Sequence, residues 1–153
     1  MSTEDITIMM RARGFTPLEK HNENKKHAVF SNLDGKVTRV CCIGKRNMRL
    51  QDFNDHPGAD VYIASSFTHQ AKKSITHSRA EWIPLVNVRC RIMEHPLVLP
   101  HESIDGPPEG TRVDELARIM HDDPVVKYLG FSKGQIIRIG ENKPYFYRVV
   151  SSP

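Results

Sequence analysis

Ile6, Met9 and Met10 recur at helical spacing behind Ser2-Thr-Glu-Asp5, a capping-box start in its acidic form. Gly14 stops that pattern, and Phe15 and Pro17 lead away from it, so a short opening helix is predicted. The stretch from Lys20 to Lys26 is polar throughout and reads as a loop. Ala28-Val-Phe30 and Val37-Thr-Arg-Val-Cys-Cys-Ile43 flank Asp34-Gly35, the turn pair that most strongly signals a hairpin. Gly44 to Pro57 is basic, lacks a clear period and reads as irregular. Asp60-Val-Tyr-Ile-Ala-Ser65 predicts a strand, Thr68 an N-cap for a helix from His69 to about Ser78, and Trp82 to Val88 a further strand. The order helix, two strands, strand, helix, strand predicts a small α/β layer packing.

The rest of the chain has a different rhythm. Pro96 and Pro100 keep Arg89 to His101 extended or turned. Residues 102–112 hold Gly106-Pro-Pro-Glu-Gly110, which predicts a linker or exposed loop with no core content. Asp123-Pro124 then supplies an N-cap followed by proline at the first helical position. Val125, Val126, Tyr128 and Leu129 are predicted to face inward, and Gly130 to end this helix. Gln135 to Ile139 and Tyr145 to Val150 predict a hairpin across Gly140-Glu-Asn-Lys143. No internal repeat or low-complexity tract interrupts the pattern.

A length of 153 residues suits one domain or two small ones, and 39% hydrophobic residues argue against global disorder. The net charge of +4 is mild, but it is unevenly placed. Residues 1–88 carry 13 basic and 9 acidic side chains, whereas residues 89–153 carry 9 of each. Lys36, Arg39, Lys45, Arg46, Arg49, Lys72, Lys73 and Arg79 face only Asp52, Asp55 and Asp60 within residues 36–80. This shift near residue 88 predicts two domains, 1–88 and 89–153, and an anionic partner for the first. Three cysteines, two adjacent, make no disulfide framework. The acidic opening is unlike a secretory leader, and no apolar run approaches the ~20 residues that span a bilayer. A soluble protein of a reducing compartment is expected.

The candidate chemistry is sparse. Cys90, His95 and His101 share a segment, but their intervals are wider than the tight pairs of structural zinc, and no fourth ligand is evident. Cys41-Cys42 places one thiol on each face of a strand and lacks the Cys-x-x-Cys spacing of a redox pair. Asp34-Gly-Lys36 has the acid-x-lysine spacing of metal-dependent nucleases, with Asp60 as the candidate second carboxylate. The hairpin turn accounts for it better. Glycine-loop, nucleophile-elbow and His-Glu-x-x-His signatures are all missing, so no catalytic residue, metal or cofactor is expected. Thr68-His-Gln-Ala-Lys-Lys-Ser74 differs, because it sets a helix N-terminus beside two lysines, a combination that suits phosphate.

Leu116-Ala-Arg-Ile119, Asp123-Pro-Val-Val-Lys-Tyr-Leu-Gly130, Phe131-Ser-Lys-Gly-Gln-Ile-Ile-Arg-Ile139 and Tyr147-Arg148 follow one another in a series. The series closely resembles the shared small subunit five of eukaryotic RNA polymerases and its archaeal counterpart. Upstream, Ile92-Met-Glu-His-Pro-Leu-Val-Leu-Pro-His101, Thr68 to Ser74 and Met10-Arg-Ala-Arg-Gly-Phe15 resemble further family segments more loosely. His69 stands where the family has proline, Gly106 to Gly110 replaces most of a family helix, and the loop at Glu141-Asn-Lys is trimmed. The shortened jaw and trimmed second domain resemble the versions encoded by large nucleocytoplasmic DNA viruses.

The resemblance implies an α/β N-terminal jaw domain, shortened and restriction-endonuclease-like, followed by a small α+β assembly domain. It implies a non-catalytic subunit of a multisubunit DNA-directed RNA polymerase, anchored on the largest subunit and lying along downstream duplex DNA. Docking would fall to Asp123, Pro124, Val125, Tyr128, Gly130, Gly134, Gln135, Tyr147 and Arg148. DNA would be faced by Thr68, His69, Gln70, Lys72 and Lys73. The location would be intracellular: the nucleus, or a viral factory or virion. The alternatives are a free-standing DNA-binding or nuclease-like protein, and an adaptor that uses the jaw to hold a host factor.

Overall fold

The computed structural model describes residues 3–18 and 26–152, so the expected capping residue Ser2 and the polar loop as far as Lys25 lie outside the described residues. The chain divides into two compact units, one ending at Arg91 and one beginning at Ile92. The charge shift near residue 88 therefore falls short of the structural break, inside a helix, Leu85–Arg89, that belongs to the first unit.

The first unit is a five-stranded mixed sheet in the order β1-β2-β3-β4-β5. Its strands are β1 (Phe15–Pro17), β2 (His27–Asn32), β3 (Val37–Met48), β4 (Val61–Phe67) and β5 (Glu81–Pro84). β1, β2 and β3 pair antiparallel, whereas β3, β4 and β5 pair parallel. Its helices are α1 (Thr3–Ala12), α2 (Leu50–Asp55), α3 (His69–His77) and α4 (Leu85–Arg89). The expected opening helix is α1, with Ile6, Met9 and Met10 buried along one face. Asp34-Gly35 turns the β2–β3 hairpin with Gly35 at φ 78°, a left-handed conformation that suits glycine.

β4 explains the layering. Val61, Tyr62, Ile63 and Ala64 are all buried, although neighbours on a strand point to opposite faces, so the sheet is covered on both sides. Tyr62 and Ala64 join Cys41, Ile43, Met48 and Ile75 of α3 in one core, with Phe53 and Trp82 against it. Val61 and Ile63 point the other way, the face left to α1 and α4, which pack on each other. The end of α1 is tied to β5 by Arg13, which is buried and donates to Glu81 at 3.0 Å.

Two expectations for this unit are corrected. Gly44 to Pro57 is not irregular: β3 runs on to Met48, and α2 follows directly. Lys45, Arg46 and Asn47 are exposed, so the apolar alternation that marks a strand fades before the strand ends. Trp82 to Val88 is not one strand, because β5 ends at Pro84, which starts α4.

The second unit is a four-stranded sheet in the order β6-β8-β9-β7. It consists of β6 (His101–Ile104), β7 (Ala117–Met120), α5 (Pro124–Leu129), β8 (Ile136–Ile139) and β9 (Phe146–Ser151), with 3-10 turns at Ile92–Glu94 and Val113–Glu115. The β8–β9 hairpin is the expected one. β7 lies parallel to β9, and β6 antiparallel to β8. Residues 101–104 are therefore sheet rather than linker, which corrects the reading of 102–112. Val126 of α5 closes a small core with Ile137 and Val150. Among the described residues, no helix is long and apolar enough to cross a membrane.

Candidate nucleic-acid interface and assembly domain

The residues expected to face DNA gather where β4 enters α3. Thr68 is the N-cap, its Oγ1 accepting from Ala71 N at 3.3 Å, and its own N–H donates to Met48 O at 3.0 Å. His69, Gln70 and Lys73 are exposed. Lys72 is half-buried, with its ammonium 4.3 Å above the Trp82 ring, so part of its charge is directed at an aromatic face rather than at solvent.

The parallel register adds residues that the motif alone did not include. Met48 pairs with Phe67 and Asn47 with Ser66, so the C-terminal end of β3 lies beside the start of α3. Lys45, Arg46 and Arg49, all exposed, stand on that end. Arg46 is also committed to Asp52 at 2.5 Å, and the other oxygen of that buried carboxylate accepts from Arg49 N at 2.9 Å. The result is a basic margin around a helix N-terminus at the C-terminal edge of parallel strands, a place where such sheets commonly bind ligands. Composition showed the basic excess. It could not show the convergence, which depends on strand order.

The nuclease arrangement does not assemble. Asp34, Gly35 and Lys36 are exposed at the hairpin tip, where Asp34 accepts from Asn32 Nδ2 at 3.2 Å. Asp60 is engaged further along β3, accepting from Arg39 N at 2.8 Å. The weak zinc candidate fares no better. His95 Nδ1 accepts from Leu97 N at 3.2 Å, His101 Nδ1 bonds Leu99 O at 2.7 Å, and Cys90 donates to Asn87 O at 3.5 Å. Each of these three atoms is engaged by its own loop or helix.

A different group was not visible in the sequence. His27 on β2 stands directly opposite Cys41 on β3, and His56 caps α2 beside them. A ligand atom from each lies within 4.8 Å of the others. His27 Nε2 and His56 Nδ1 are 3.2 Å apart, and Lys26 Nζ is 3.1 Å from His56 Nε2. Burial, then His56 and Lys26, lowers the His27 pKa, while burial and the neighbouring Cys42 push Cys41 up to about 12. The three residues are far apart in sequence, so no motif spacing announces them.

In the second unit, Asp123 caps α5 by accepting from Val125 N at 2.8 Å and Val126 N at 3.3 Å, and Pro124 opens the first turn. Gly130 sits at φ 72°, a left-handed stop. Of the expected docking residues, Pro124, Gly134 and Gln135 are exposed, and Asp123, Gly130, Tyr147 and Arg148 are partly so. Val125 and Tyr128 are buried and shape the helix from within. Gln135 is held by its own turn, its Oε1 accepting from Ser132 N at 2.6 Å. Arg148 lies opposite Ala117 and Ile137, at the centre of the sheet, and bonds Tyr147 O at 2.9 Å.

This unit is a capped helix with a small mixed sheet and a partly polar surface. Residues 109–151 match the family described as RNA polymerase Rpb5, C-terminal domain. The match covers less than a third of the chain and marks residues 109–151 as similar to the Rpb5 C-terminal domain. A comparison with the curated proteins finds no match.

Proposed function

We propose that this chain is a subunit of a DNA-directed RNA polymerase that positions without catalysing: the second unit anchors on the largest polymerase subunit, and the first guides downstream duplex DNA. The observation that carries the reading is the family match over residues 109–151, which contains every docking residue named above. The anchoring surface would be drawn from Pro124, Gly134, Gln135, Tyr147 and Arg148, with Val125 and Tyr128 fixing the helix that presents them. The guiding role is supported by the basic margin of Lys45, Arg46, Arg49 and Lys73 around the start of α3. Contacts of this kind read phosphate rather than bases, so they carry position and not sequence. The dispersed carboxylates give the free-standing nuclease no support.

Crosslinking of the assembled polymerase to downstream duplex tests the guiding role. Lys45→Glu with Lys73→Glu reverses two exposed charges and leaves the Lys72–Trp82 contact in place. Downstream crosslinking at low salt should fall while the subunit stays in the complex. Equal crosslinking in both proteins would remove DNA from the role of this face and favour the adaptor reading.

A further inference from the structure

We propose that His27, Cys41 and His56 form a binding site for a borderline-soft divalent cation of the zinc type, which clips the β2–β3 hairpin to the end of α2. The donor set comes first. Two imidazoles and one thiol are ligands that zinc and its neighbours prefer over the hard, oxygen-binding cations. Three protein ligands leave one position of a tetrahedron for water.

The geometry is close to what such an ion requires. Ligand nitrogens about 2.0–2.1 Å from one tetrahedral zinc stand about 3.3 Å apart, and a nitrogen and a sulfur about 3.6 Å apart. The facing nitrogens of His27 and His56 are separated by 3.2 Å, and all three ligand atoms fall within 4.8 Å of one another. A side-chain adjustment of about 1 Å would gather them around one centre.

The fold holds all three donors from behind. Cross-strand pairing fixes His27 against Cys41, and Lys26 O accepts from Cys42 N at 2.8 Å in the same ladder. His56 is anchored through its backbone, its N–H donating to Phe53 O at 3.2 Å and its carbonyl accepting the Tyr62 hydroxyl at 2.8 Å. Cys41 lies in the core beneath them, so its sulfur is directed rather than free to rotate in solvent.

One group opposes the site. Lys26 places its ammonium 3.1 Å from His56 Nε2, which makes that nitrogen an acceptor and leaves Nδ1 to carry the proton toward His27. A cation between the rings needs the other tautomer, with Nδ1 as the ligand and the proton on Nε2. Lys26 is exposed and can turn away, and the Cys41 thiol gives up its proton as the metal binds.

Cobalt(II), a spectroscopic stand-in for zinc, tests this on the full-length, tag-free chain. Titration of metal-free protein should saturate at one equivalent, with a thiolate-to-cobalt charge-transfer band and the strong visible bands of a tetrahedral site. Zinc should displace the cobalt and raise the melting temperature, because the ion binds only the folded pairing of β2 with β3. His27→Gln, an exposed substitution checked for folding by circular dichroism, should weaken binding by at least about tenfold. Cys41→Ala should abolish the thiolate band, and Cys90→Ser should leave it intact. A wild type without the band, or a folded His27→Gln that binds cobalt as the wild type does, overturns the proposal.

Discussion

Gly130 sits at φ 72° after α5, a conformation that a β-branched residue adopts only with strain. Gly130→Val should therefore destabilise the protein by about 1–2 kcal/mol, read as a lower denaturation midpoint at unchanged slope. This position was legible because caps are local: Asp123, Pro124 and Gly130 satisfy the ends of one short helix through their own neighbours. Lys72 and Lys73 show the opposite case. In the sequence they form an equivalent pair, but only Lys72 lies over Trp82, a residue brought there by the parallel pairing of β4 with β5. Lys72→Ala should cost about 0.5–1 kcal/mol of stability. Lys73→Ala should stay within about 0.5 kcal/mol of the wild type, and chemical denaturation of the two variants separates them.

At the scale of elements, what is short-range was readable and what is long-range was not. The Asp34-Gly35 hairpin, the Thr68 cap and the β8–β9 pair each announce themselves within a few residues. β6 and β7 do not. β7 is mostly exposed and gains its place only by lying parallel to β9, a pairing that no local alternation encodes. The same holds for the end of β3, whose basic residues hid a strand and whose position beside α3 made the candidate interface. In the second unit, Val126, Ile137 and Val150 form so small a core that one deletion should be felt throughout it. Ile137→Ala should cost about 2–5 kcal/mol. Hydrogen exchange should then speed up across β8, β9 and α5 while the sheet of the first unit keeps its protection.

For the whole molecule, the uneven charge along the chain fits the division of labour proposed for the two units. The basic excess lies in residues 1–88, while residues 89–153 are balanced. With a net charge of only +4, DNA binding by the isolated chain should be weak and steeply salt-dependent, so on the proposed reading any useful contact relies on placement by the second unit. The central claim is that this chain works as a positioned component of a polymerase. Purification of the tagged, full-length chain from its native source, with identification of what comes with it, tests that claim most directly. The account predicts that the large polymerase subunits are recovered in stoichiometric amount. Recovery of the chain alone, cleaving DNA in the presence of Mg²⁺, would contradict it.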